Sequence, residues 1–74
     1  MRLTELASDL EAVRTDIADE LLAINRYEQQ TYTLTDEETR ETIARILDER
    51  KQHVALLLGQ LRRLDPKQRE KLDR

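Results

Sequence analysis

Stepping alternately by three and four residues along the first half of the chain lands on Leu3, Leu6, Leu10, Val13, Ile17, Glu20, Ile24, Tyr27 and Thr31. A largely apolar seam of this period rules out a strand. It predicts one long helix, from about Leu3 to about Tyr32, packed lengthwise against a partner. After a break at TLTDEE a second seam runs Ile43, Ile46 or Leu47, Arg50, His53 or Val54, Leu57, Leu61, Leu64. Thr35 as N-cap, with Glu38 at the third helical position, gives a capping-box pattern for this second helix. It should end at about Leu64, since a residue before proline disfavours helical backbone, and Asp65-Pro66 can open a short third helix.

The expected fold is therefore all-α: an antiparallel helical hairpin over residues 1–66, then a polar tail or short helix over 67–74. Helices of roughly 30 residues are about 45 Å long, and a hairpin buries only one side of each apolar stripe. Leu21, Leu22, Leu56 and Leu58 flank the seams and need a second surface. Two copies closing into a homodimeric four-helix bundle would supply it.

Composition narrows the function. Charged residues make up 39% of the 74 positions and apolar residues 38%, a balance that only the periodicity separates from disorder. The net charge of −3 is spread over interspersed signs, which argues against nucleic acid or an anionic membrane as partner. With no cysteine, disulfides, thiolate zinc sites and thiol nucleophiles are excluded. The charged start MRLTELASDLEAVR predicts neither a signal peptide nor a membrane span, so the cytoplasm is the default compartment.

Each seam carries one interior charge, Glu20 in the first and Arg50 in the second. With the turn near residue 35, residue i should stand opposite roughly 70 − i, which sets Glu20 against Arg50 and Ile17 against His53. A polar layer inside an apolar seam is costly unless its charges are paired or bound to a metal. The segment LDERKQH, Leu47–His53, sharpens the choice: a Glu-x-x-His metal motif would need glutamate where Arg50 stands.

These residues resemble the encapsulated ferritin-like proteins, small two-helix relatives of ferritin and rubrerythrin that are cargo of encapsulin shells or domains fused to them. The matching pieces are Glu20 and Tyr27, the block Asp48, Glu49, Lys51, His53, and the closing LRRLDP, across about Asp16 to Pro66. The resemblance implies subunits that pair antiparallel and assemble further into rings. It also implies an iron-oxidising (ferroxidase) centre at the dimer interface, for iron storage inside an encapsulin nanocompartment. Glu20 and His53 match the ligand positions and Tyr27 a tyrosine lining the site. Arg50 occupies the bridging glutamate's place, so a symmetric dimer loses two carboxylates there and gains two positive charges that repel iron.

Two readings follow. In one, Glu20 and His53 hold iron, as a di-iron centre or a single weakly bound ion, with Glu49 recruited as a substitute ligand. Glu49 is four residues from His53 and so on the same side of the helix, though about 100° around from Arg50, where solvation competes as its role. In the other reading no metal is held, and a Glu20–Arg50 ion pair fixes register in a non-catalytic scaffold or cargo protein. Tyr27 either lines a redox site or packs with its hydroxyl at the rim. Glu28, near the same stripe, is expected to be solvated, as are Arg62 and Arg63.

Overall fold

A computed structural model describes residues 2–73, which form α1 (Leu3–Thr33), α2 (Glu37–Leu64) and α3 (Pro66–Leu72). No strand occurs among them. The three-residue connection between α1 and α2 folds the two long helices back on one another as a hairpin. Its extents are 50 × 27 × 14 Å. A thickness of 14 Å is little more than one helix with its side chains, about 10–12 Å across. The chain is thus a single layer with two open faces. Its radius of gyration, 15.7 Å, exceeds the roughly 11 Å of a compact domain of this length.

The consequence for the core is direct. Among the described residues only Leu61, 8% exposed, is buried, while Leu21, Leu22 and Leu56 are exposed. The seam residues Leu10, Val13, Ile17, Ile24, Ile43, Ile46, Val54, Leu57 and Leu64 are half-buried between the helices.

Local chemistry sets the helix boundaries. At the start of α1 the Arg2 N–H donates to Glu5 Oε2 at 3.2 Å. At its end the Thr31 hydroxyl donates to the Glu28 carbonyl at 2.6 Å, and Thr33 shares its hydroxyl between the Gln29 and Gln30 carbonyls. These hydroxyls are second donors to last-turn carbonyls, since the Gln30 carbonyl also accepts from the Leu34 N–H at 2.9 Å. No described residue adopts positive φ, so the turn is made by extended backbone at Leu34 and Asp36 rather than by a glycine.

The N-cap of α2 is Asp36, not the expected Thr35. The Asp36 carboxylate accepts from both the Thr39 N–H, at 3.0 Å, and the Thr39 hydroxyl, at 2.7 Å. These two bonds hold its pKa below the ordinary aspartate value. A carboxylate that finds two donors on one residue, at the positive end of the helix, outcompetes the threonine before it.

Asp65 repeats the device at the next corner. It caps α3 by accepting from the Gln68 N–H at 3.2 Å, with Pro66 at the first helical position where no N–H is needed. Residues 66–72 are therefore helical rather than a loose polar tail. Arg62 pairs with Asp73 across this corner.

Candidate functional site

Glu20 stands midway along α1 at the one charged level of its seam. Arg50 Nη1 donates to Glu20 Oε1 at 2.9 Å, and His53 Nδ1 lies 3.4 Å from the same oxygen. The two lone seam charges and the chain's one histidine thus converge on a single carboxylate atom. The Glu20 side chain is only 14% exposed, against 35% for Arg50 and 49% for His53. Its second oxygen, Oε2, is buried and has no hydrogen-bond donor among the described residues. Buried acceptors without partners are uncommon and costly, so this atom needs an explanation.

Arg50 has a second contact, its guanidinium lying 5.9 Å from the Tyr27 ring centroid, while Arg26 lies over the same ring at 5.0 Å. Arg26 is the main influence holding the Tyr27 hydroxyl below its ordinary pKa; partial burial opposes it and Arg50 adds to it. The hydrogen bond from Arg50 to Glu20 raises the already high pKa of Arg50, so its charge is permanent at any ordinary pH.

This level opens into a groove of about 490 Å³ on one face of the hairpin. One wall is α1, with Asp16, Asp19 and Glu20; the other is α2, with Arg50, His53, Leu56 and Leu57. Asp16 and Asp19 went unnoticed in the sequence because neither sits on the apolar seam. The signal was there: positions 16, 19 and 20 share one helical face by their spacing of three and four. Glu49 is exposed and is not among the residues lining this groove. Glu28 is exposed yet paired, reaching Lys51 Nζ across the hairpin at 3.2 Å. The rule setting i against 70 − i holds at Glu20–Arg50. Glu28–Lys51 and Arg14–Asp65 both lie further along α2 than it gives.

Could these residues hold a divalent cation? From this chain, an ion beside Glu20 would find one free carboxylate oxygen and one imidazole. A guanidinium stands 2.9 Å from that same carboxylate. No group of three or more Asp, Glu or His side chains among the described residues is arranged to hold a metal. Hard divalent ions of this kind take more oxygen and imidazole donors than that, and they are repelled by a fixed cation in the same layer. As arranged within one chain, the donor set does not fit iron.

Comparison with known proteins agrees with the sequence resemblance. The family whose profile matches the chain, over residues 1–74, is described as EncFtn-like. Among solved structures, the crystal structure of protein ne0167 from Nitrosomonas europaea is similar, with a TM-score of 0.87 and 31% identity. The match covers 90% of this chain and 74% of that one. No curated protein matches. No helix among the described residues is long and apolar enough to cross a membrane.

Proposed function

The chain belongs to the EncFtn-like family, and from that premise we propose that it is a non-catalytic, ferritin-like subunit. In this reading an ion pair between Glu20 and Arg50 replaces the metal centre. The protein serves as scaffold or cargo in an assembly of its own copies, with an encapsulin shell as the partner that family membership suggests. The observation that carries the reading is the 2.9 Å bond from Arg50 to Glu20, made at the level where an iron-oxidising relative would need carboxylates. The guanidinium neutralises the least exposed carboxylate described at this level and occupies the space beside it. Polar pairs of this kind inside an apolar seam fix register between helices even when they add little stability.

A second reading, an iron-binding ferroxidase using Glu20, His53 and Glu49, has one observation in its favour. Glu20 Oε2 is buried without a donor, and His53 stands beside the same carboxylate. Metal analysis and Fe(II) oxidation by protein purified in the presence of iron separate the two. The ion-pair reading expects iron well below one ion per chain and oxidation no faster than in buffer. Rapid oxidation that is lost in Glu20→Ala or His53→Ala would establish the ferroxidase reading instead.

A further inference from the structure

We infer that Asp65 relays the closure of the hairpin to α3. The short helix is a latch, held shut on α2 while α1 presents Arg14 to Asp65 and released as a unit when it does not.

α3 has little to hold it alone. It is seven residues long, PKQREKL, with no acidic side chain in its first turn. Isolated helices shorter than about 12–15 residues are marginal in water, because the first hydrogen-bonded turn is the costly step. Pro66 presets the backbone at the first helical position, and Arg69 and Lys71 suit the negative end of the helix. These are small contributions, so the helix depends on its cap and on its packing against α2.

The cap is shared between two helices. Asp65 Oδ1 accepts from the Gln68 N–H at 3.2 Å, which opens α3, while Oδ2 accepts from Arg14 Nη2 at 3.0 Å. The backbone of α3 approaches α2 and not α1. Arg14 therefore acts on α3 through Asp65: with one oxygen held by α1, the other is aimed at the amide that the helix must bond. This makes Arg14 a positioning residue, which lowers the cost of forming the cap by fixing the carboxylate beforehand. Coupled equilibria are reciprocal, so a closed α3 strengthens the hold on Arg14 to the same extent.

Asp65 is also the hinge. It is the one non-helical residue between α2 and α3, so a change in its backbone angles swings α3 as a rigid piece. Its N–H donates to the Leu61 carbonyl at 2.9 Å, and its carbonyl accepts from the Arg69 N–H at 3.0 Å. At the far end Asp73, whose N–H donates to the Arg69 carbonyl, pairs with Arg62 of α2. α3 is thus fastened to α2 at both ends, and Asp65 joins one fastening to α1.

Amide hydrogen exchange on the full chain, read residue by residue by NMR, tests the coupling. In Arg14→Met the amides of Gln68, Arg69 and Asp73 should exchange about fivefold faster, while those of Ile24 and Leu57 at mid-hairpin keep their rates. Arg14→Lys retains a charged donor and should restore part of the protection. Asp65→Ser keeps a hydroxyl that can cap but leaves no carboxylate for Arg14. It should accelerate α3 about as much as Arg14→Met, and the double variant should go no further.

Four results would each overturn the inference. They are unchanged α3 rates in Arg14→Met, an acceleration shared equally by Ile24 and Leu57, no recovery in Arg14→Lys, and a further acceleration when Arg14→Met is added to Asp65→Ser. None of these readouts involves iron, Glu20 or Arg50, so the outcome is independent of how that level is read.

Discussion

Two arginine–carboxylate pairs tie the helices together, and they are built differently. At the corner, Arg14 donates to Asp65 Oδ2 at 3.0 Å while the Gln68 N–H takes Oδ1 at 3.2 Å. Both oxygens are used within the chain. At mid-hairpin, Arg50 and His53 crowd onto Oε1 of Glu20, and Oε2 is buried without a donor among the described residues. The saturated carboxylate explains itself: it caps a helix and pins a corner. The half-saturated one caps no helix and keeps a buried acceptor without a donor among the described residues, an arrangement that costs stability.

The sharpest way to probe that difference is at the corner's packing. Leu61, whose carbonyl accepts the Asp65 N–H at 2.9 Å, is the best-buried side chain described. Leu61→Ala should cost about 2–4 kcal/mol. In a chain of this size that lowers Tm by about 10–20 °C. A loss of only a degree or two by calorimetry would mean the corner is not the packed part of the fold.

The two carboxylates themselves come next. Asp65→Ala removes a cap and an ion pair at once and should lower Tm by several degrees. Replacing Glu20 and Arg50 together by leucine should leave Tm unchanged or raise it, because apolar side chains avoid the desolvation that a poorly solvated pair must overcome. If the leucine pair is the more damaging change, the mid-hairpin pair is the true stabiliser and the contrast drawn between the regions fails.

Much of the fold was legible in the sequence because a seam of 3.5-residue period allows one solution for a long charged chain. The same seam exposed Glu20 and Arg50 as misfits, and the position of the turn set them opposite one another. Other features could not be read this way. Thr35 and Asp36 both carry N-cap chemistry, and only the three-dimensional approach of Thr39 selects Asp36. Arg14, Lys51 and Arg26 act through long flexible side chains, whose reach is not set by position on a helical face. The unused oxygen of Glu20 belongs to no pattern of residues, since it follows from how two cations arrive at one atom.

Acid should separate the regions further. Asp65 is held below the ordinary aspartate value of 3.8, chiefly by the Gln68 N–H and also by Arg14, with burial opposing. Asp36 is lowered as well, by Thr39. A carboxylate whose folded pKa is depressed stabilises the fold above its unfolded pKa, and that stability is lost as pH falls through the folded value. Thermal melts should therefore be flat from neutrality to about pH 4 as far as these two groups are concerned, then fall below it. Asp65→Asn should flatten the acid limb; an unchanged limb would remove Asp65 from the account.

The smallest effect concerns Tyr27. With Arg26 and then Arg50 lowering its pKa, phenolate absorbance should rise at lower pH in wild type than in Arg26→Gln. Identical titrations would show that the stacking geometry over the ring does not persist in solution.

The central claim is that Arg50 stands in place of a metal, and the thermal stability of Arg50→Glu with and without Fe(II) tests it most directly. Without metal, the introduced carboxylate stands at the level of Glu20 in a poorly solvated layer, so the variant should melt below wild type. Fe(II) should then restore its stability by mass action while shifting wild type little. Strong stabilisation of the wild type by Fe(II), with no greater shift in Arg50→Glu, would contradict the account.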